Sequence, residues 1–69
     1  MTQTDAILSA LRAGERLTAL EILRRGWGMR AAGRVNDIRN MGYDVRTDMV
    51  RRGDAMVAEY WLPREGELF

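Results

Sequence analysis

The spacing of apolar residues changes once along this chain of 69 residues, next to Gly42. Before that point, apolar side chains recur every three or four residues, which is the period of an amphipathic helix. After it they alternate with other residues, which is the period of a half-buried strand. A chain of this length forms one small domain that buries only about 60% of its unfolded surface. The change of period therefore predicts a single α+β domain in which helices come first and strands follow.

Three helices are predicted before the change of period, and each is followed by a glycine that can end it. The first covers 4–13 and has Thr4 as its expected N-cap. The second begins at Thr18 or the next residue, because Thr18 and Glu21 have the spacing of a capping box. The third covers about 29–41. The three closing glycines are Gly14, Gly26 and Gly42.

Two strands follow the helices and are predicted to pair as an antiparallel hairpin. The first alternating run covers 43–50, and a second one ends at Pro63. Turn residues at 51–54 separate the two runs. One rung of a third strand is also considered near 15–17.

The composition excludes most catalytic chemistry. The chain contains no cysteine and no histidine, so thiolate and imidazole metal ligands and histidine-based triads are absent. Ser9 is the only serine and has no imidazole to activate it. We expect no enzyme, no metal and no cofactor. The first residues lack the basic and apolar regions of a signal peptide or membrane span, so we expect a cytoplasmic protein.

The charged residues are unevenly distributed along the chain. Residues 30–52 carry six arginines against three aspartates, whereas residues 53–69 have a net charge of −3. All the basic side chains are arginines, whose planar guanidinium suits phosphates and guanine edges. A basic middle segment favours an anionic partner.

The stretch GWGMRAAGRVNDIRNMGYDV, residues 26–45, fits two incompatible patterns. Two glycines followed by an alanine have the outline of a dinucleotide-binding fingerprint, but that site requires a strand directly before the glycines. The capping box and the stripe of Leu20 and Leu23 predict a helix there instead. A short helix, a glycine-bearing turn and a second helix are the parts of a helix-turn-helix. We therefore favour the second pattern.

The third predicted helix has one apolar and one polar side. At about 100° per residue, Ala31, Val35 and Ile38 share the side expected to face the core. The opposite side is expected to contact double-stranded DNA, with the hairpin tip beside it. The candidate DNA-binding residues are Arg30, Gly33, Arg34, Asn36, Asp37, Asn40, Arg51 and Arg52.

These candidates suit different contacts. Arg30, in the first turn of the predicted helix, suits a bidentate bond to guanine. Gly33 costs helix stability and is explained by the close approach of another backbone. Asn36 and Asn40 suit adenine or phosphate. Asp37 repels phosphate unless it accepts a hydrogen bond from cytosine or pairs with an arginine.

The segments QTDAILSALRAGERLTALEIL, RAAGRVNDIRNMGYDV and VAEYWL make the chain resemble a known family from residue 4 to residue 62. It is similar to the small helix-turn-helix domains encoded in phages and prophages. The resemblance implies a winged-helix fold and DNA binding in transcription regulation or as an accessory factor in recombination. The third helix would enter the major groove, and the hairpin would act as a wing on the DNA backbone.

The two tryptophans are expected to have different surroundings. Trp27 is expected to fill the core beneath the turn between the helices, and Trp61 to point outward from its strand. The expected domain covers 1–63, followed by a short tail at 64–69. Trp61 and Phe69 are the candidates for a homodimer or partner contact. The alternative function is a phage-encoded module that binds and inhibits a host protein complex, since a fold does not fix a function.

Overall fold

Three helices and a three-stranded antiparallel sheet share one core in the computed structural model, which describes residues 2–63. The strand order is β1-β3-β2. The predicted order of three helices followed by a hairpin is confirmed. The elements are α1 (Gln3–Arg12), β1 (Leu17–Thr18), α2 (Ala19–Arg24), α3 (Ala31–Asn40), β2 (Arg46–Arg52) and β3 (Ala55–Trp61).

The N-cap of the first helix lies two residues before Thr4, the N-cap that the sequence predicted. The N-cap is Thr2, whose hydroxyl accepts a hydrogen bond from the backbone N–H of Asp5 at 3.1 Å. The Asp5 carboxylate accepts one from the backbone N–H of Thr2 at 3.4 Å, which completes a capping box. Thr4 has the apolar Ile7 three residues later, and an apolar side chain cannot return this bond. The chemistry of the third helical residue therefore decides where α1 starts.

The second helix begins where predicted, but its capping box is only half formed. The Thr18 hydroxyl accepts a hydrogen bond from the backbone N–H of Glu21 at 3.2 Å. The Glu21 carboxylate accepts from the Thr18 hydroxyl rather than from the Thr18 backbone. Thr18 is also the last residue of β1, where it pairs with Glu59 of β3. One threonine thus ends a strand and starts a helix.

The turn between α2 and α3 depends on Gly26, which has a positive φ of 75°. The backbone N–H of Gly26 donates to the carbonyl of Leu23, and the N–H of Trp27 donates to the carbonyl of Ile22, both at 3.0 Å. This pair of bonds is the Schellman motif, which requires a left-handed residue after the helix. Trp27 is half-buried and packs against the core, as predicted.

Helix α2 faces the core with a different side from the one predicted. The sequence suggested that the side with Leu20 and Leu23 would be buried. The only buried residue of α2 is Ile22, which is 0% exposed. Leu20 and Leu23 are 54% and 45% exposed. With only six residues, α2 can bury one large side chain, and the apolar side chains on either side of Ile22 then face outward.

The hairpin has a shorter turn than predicted. Strand β2 begins at Arg46, because the N–H of Tyr43 donates to the carbonyl of Ile38 and belongs to the closure of α3. Val45 then enters the core with 4% exposure. Residues 51 and 52 belong to β2, and the turn itself consists of residues 53 and 54. The third strand predicted near 15–17 is present at 17–18, where it pairs with β3.

None of the helices described in residues 2–63 combines the length and the apolar character that crossing a membrane requires.

The contrast within α2 gives a matched test of the core. We expect Ile22→Ala to lower the free energy of unfolding by about 2–5 kcal/mol, because it leaves a cavity at a fully buried position. A domain of this size has only about 3–5 kcal/mol in total, so this variant should lose a large share of its stability. Leu20→Ala should change the value by about 0.5 kcal/mol or less. Urea denaturation followed by circular dichroism measures both, and equal losses would contradict this orientation of α2.

An ion pair joins the segment after α1 to the end of α2. Arg25 donates two hydrogen bonds to the Glu15 carboxylate, at 2.6 and 3.1 Å. These bonds lower the pKa of Glu15, an effect that desolvation partly opposes. A lowered pKa in the folded state contributes stability above the unfolded pKa, and that contribution is lost as the pH falls through the folded value. Glu15 is solvent-accessible, so the contribution is small.

We expect Arg25→Gln to return the pKa of Glu15 toward its ordinary value. An NMR titration of the Glu15 side-chain carboxyl measures this directly in both proteins. A pKa that stays lowered in the variant would show that Arg25 is not the cause.

Candidate nucleic-acid interface

Helix α3 separates an apolar side from a polar side as predicted. Ala31, Val35 and Ile38 are 5%, 1% and 0% exposed and belong to the core. The polar candidates lie on the rest of the helix surface, and Arg34 is the one among them that is half-buried. The exposed candidates are Arg30, Gly33, Asn36, Asp37 and Asn40.

The outward side of α3 holds a shallow depression of about 350 Å³. Five of the six candidates on α3 or at its N-cap are brought together there, and Asn40, the last residue of the helix, lies outside the lining. The lining residues are Arg30, Gly33, Arg34, Asn36 and Asp37.

Arg30 lies just before the helix and not in its first turn, which corrects the predicted boundary. It is the N-cap residue of α3, with φ of −109° and ψ of 50°, and its side chain makes no capping bond. Its carbonyl accepts the first helical bond, from the N–H of Arg34 at 3.0 Å. Arg30 is exposed and forms no ion pair with any residue in 2–63. Its guanidinium is therefore available at the N-terminus of the helix.

Arg34 and Asp37 form an ion pair one turn apart, with 3.6 Å between Nη1 and Oδ2. The Arg34 Nε is buried and has no hydrogen-bond partner within the described residues. The Arg34 side chain is 38% exposed and that of Asp37 is 53% exposed. The carboxylate that conflicts with phosphate is thus compensated by its neighbour.

Gly33 serves no visible need of the protein's own fold. Apart from the neighbouring backbone of α3 itself, the nearest atom of residues 2–63 that a Cβ here would meet is the Arg30 Cβ at 4.0 Å. Glycine within a helix costs about 1 kcal/mol relative to alanine. Nothing in residues 2–63 packs so closely against Gly33 that a larger residue would clash, so packing does not explain this loss of helix stability. This supports the expectation that another molecule approaches the helix backbone here.

The two hairpin arginines point to opposite faces of the sheet. Arg52 donates to the Glu59 carboxylate at 2.9 Å and to the carbonyl of Arg51 at 3.1 Å, so it is held along the sheet. Arg51 is exposed and has no ion pair among residues 2–63. Of the two candidates, Arg51 is the more available for a partner.

The outward face of the sheet carries a cluster that the sequence patterns did not reveal. Trp61 points outward as predicted, but the guanidinium carbons of Arg16 and Arg46 lie 4.5 and 5.7 Å from its ring centroid. Glu59, on the same face, is only 8% exposed and accepts from Arg16 and Arg52. Alternation placed these strand residues on one face, but Arg16 joins them from a segment 43 residues before Glu59.

The proposed contacts of Trp61 and Phe69 with a second copy or a partner remain predictions. Phe69 lies outside the described residues. Trp61 is half-buried beneath the two arginines, which accounts for its partial burial without a second subunit.

All three aspartates of the basic middle segment are paired. Asp37 pairs with Arg34, Asp44 with Arg46 and Asp48 with Arg16, at 3.6, 3.2 and 3.1 Å. These pairs neutralise the acids locally. Arg30, at the start of α3, and Arg51, near the hairpin tip, have no acid partner among residues 2–63 and so keep their positive charge, although the exposed Asp54 of the hairpin turn also lacks an ion pair there and opposes Arg51.

Comparison with protein families decides the classification. The family described as a winged helix-turn-helix domain matches residues 2–65. The chain belongs to this family. A search of curated proteins and a search of solved structures returned no match. In winged helix-turn-helix terms, α2 and α3 are the two helices of the motif and the β2–β3 hairpin is the wing, so the predicted fold class is confirmed and DNA is the partner that the family implies.

Two glycine variants test the local structure around α3. We expect Gly33→Ala to raise the free energy of unfolding by about 0.5–1 kcal/mol, because the position is helical and open. Gly26→Ala should lower it by about 1–2 kcal/mol, because alanine is strained at its positive φ. Thermal denaturation of the two variants beside the wild type gives both signs. Destabilisation by Gly33→Ala would show that the fold itself needs this glycine.

Proposed function

We propose that this winged helix-turn-helix domain binds double-stranded DNA in a sequence-specific manner. Helix α3 enters the major groove, whose width of about 12 Å admits a helix. The observation that carries the proposal is the outward depression on α3, which brings Arg30, Gly33 and Asp37 together with two further polar side chains. It lies opposite the buried stripe that holds the helix on the domain.

The distribution of charge supports an anionic partner for this side of the domain. Arg30 stands without an acid partner in the described residues, next to the N-terminus of α3, where backbone N–H groups also favour phosphate. Arg39, in the last turn, donates to the Val45 carbonyl at 3.0 Å and to the Thr47 hydroxyl at 2.9 Å. Neither acceptor is an acid, so the positive charge of Arg39 is retained.

The wing supplies a second contact in this arrangement. Arg51 is exposed near its tip, and Gly53 forms the turn with a φ of 62°. An arginine there suits a phosphate or the narrow minor groove beside the site of α3. Arg52 contributes less, because it is bound to Glu59.

The biological role within this proposal is regulation of transcription or assistance of recombination for a phage or prophage. The protein would act in the cytoplasm of the bacterial cell or infected host, without catalysis. A single small module buries a modest area on DNA, so useful specificity calls for a homodimer on half-sites about one helical turn apart. The absence of histidine and cysteine from the sequence supports a binding role rather than an enzymatic one.

A protein-interaction module is the second candidate function, and the exposed side of α2 is the observation that favours it. Leu20 and Leu23 are about half exposed there. A largely apolar depression of about 360 Å³ lies between the first turn of α2 and residues Val57 and Ala58 of β3. Such a surface is more typical of contacts between proteins than of contacts with DNA.

Salt dependence of binding separates the two functions. We expect fluorescence anisotropy with a mixed-sequence duplex to show an association constant that falls with salt, with a log–log slope of about −0.9 per phosphate contacted. Arg30→Ala should weaken binding and reduce the slope by about one contact. Arg12→Ala is the matched control, because Arg12 is also exposed and lies in a different depression, on α1. It should change binding little.

A wild type that fails to associate with duplex DNA even at low salt would contradict DNA binding and favour the second candidate. Equal effects of Arg30→Ala and Arg12→Ala would contradict the placement of α3 in the groove.

Gly33→Ala gives an independent check because its two expected effects have opposite signs. The variant should be more stable than the wild type, yet it should bind duplex DNA several-fold more weakly, since the added methyl group lies where the helix approaches the groove. The anisotropy titration above measures the affinity. Unchanged affinity would show that α3 does not approach DNA closely at this residue.

A further inference from the structure

The ion pair of Arg34 and Asp37 has no evident use in binding phosphates. Its two charges cancel, and the carboxylate repels the DNA backbone. Both side chains nevertheless line the outward depression of α3 and are 38% and 53% exposed. A pair in this place contributes to recognition only through something other than net charge.

We propose that Arg34 and Asp37 act as one unit that reads a G·C base pair in the major groove. Arg34 donates to O6 and N7 of guanine, and Asp37 accepts from the N4 amino group of the paired cytosine. The inference rests on the proposed function, because it assumes that α3 enters the major groove.

The order of donors and acceptors on the base pairs supports this assignment. A G·C pair presents two neighbouring acceptors on guanine and then a donor on cytosine. An A·T pair presents an acceptor, a donor, an acceptor and a methyl group. An arginine next to a carboxylate offers donors and then an acceptor, which complements the G·C pattern and not the A·T pattern.

The geometry of the pair supports its use as a unit. The Nη1 of Arg34 and the Oδ2 of Asp37 are 3.6 Å apart, so the donor and acceptor groups are neighbours, as they are on the base pair. The Arg34 Nε is buried, so the terminal nitrogens are the part of the guanidinium left to reach outward. The carboxylate holds these nitrogens in place before DNA arrives, which reduces the entropy lost on binding.

Gly33 explains how so short a side chain as aspartate reaches a base. Gly33 and Asp37 are four residues apart in α3 and therefore lie on the same side of the helix. Gly33 has no Cβ, and apart from its own helix backbone the nearest atom among residues 2–63 is the Arg30 Cβ, at 4.0 Å from where a Cβ would lie, so the helix can lie close to the groove floor. The carboxylate also penalises wrong sites, because it meets acceptors or phosphates when no cytosine is present.

The test is selection of bound sites from a duplex pool with randomised positions, followed by sequencing and by anisotropy on single selected duplexes. The wild type should enrich sites with one fixed G·C position. Changing that pair to A·T in a selected duplex should weaken binding about ten-fold or more. The double variant Arg34→Ala/Asp37→Ala should tolerate either pair within about two-fold. Asp37→Ala alone, which leaves Arg34 to bond guanine, should keep only part of the G·C requirement and should bind the unselected pool more tightly than the wild type, because the repulsion of phosphate is removed.

Two further variants separate base reading from charge. Asp44→Ala removes an exposed aspartate that pairs with Arg46 off the α3 surface, so it changes the net charge equally but should keep the G·C requirement. Asp37→Asn keeps the shape of the side chain and an oxygen that can accept from cytosine, so it should keep the G·C requirement while it removes the charge that repels phosphate.

A G·C requirement that survives in full in the Arg34→Ala/Asp37→Ala variant, or one that is lost equally in Asp44→Ala, would show that the pair does not read a base. A wild type that binds duplex DNA but fixes no G·C position would overturn this inference alone. A wild type that binds no duplex at all would overturn the proposed function as well.

Discussion

The burial of one stripe of α3 determines what the rest of this domain can do. Ala31, Val35 and Ile38 are between 0% and 5% exposed, and together they fix the rotation of the helix about its own axis. Because successive residues advance by about 100°, this rotation also fixes which side chains face outward. In a domain with so few large buried side chains, a change in this stripe would alter stability and the outward surface together.

Surface charge in this protein serves orientation more than stability. The ion pairs of the described residues mostly join exposed or half-exposed side chains, and such pairs contribute about 1 kcal/mol or less each. Their effect is to hold arginines in place. Arg16 and Arg46 lie over Trp61, Arg52 lies against Glu59, and the unpaired Arg30 and Arg51 remain available to an anion.

Much of this arrangement was predictable because it depends on local chemistry. The apolar stripe of α3, the threonine cap of α2 and the glycine ends of the helices are set within a few residues of sequence, and all are confirmed.

The features that the sequence did not predict correctly are of two kinds. In one kind, neighbouring residues compete for the same role, and in the other, the contact joins segments that are far apart in the chain. Thr2 rather than Thr4 caps α1, because Asp5 completes a capping box with Thr2. Leu20 faces outward, because Ile22 is the residue of α2 that enters the core. The pairing of Arg16 with the sheet joins distant segments, which periodicity cannot detect. Arg34 and Asp37 were named as candidates from their positions on α3, whereas the ion pair between them is identified only by the distance between their side chains.

The central claim is that the outward side of α3 meets DNA, and an NMR titration tests it most directly. Backbone amide shifts of the protein, labelled with nitrogen-15, would be followed as a short duplex is added. We expect the changes to concentrate at 30–40 and near the wing tip at 51–53, while the outward side of α1 at 5, 9 and 12 stays unchanged. Changes confined to the exposed side of α2 and to residues 57 and 58 of β3, or no changes at all, would contradict it.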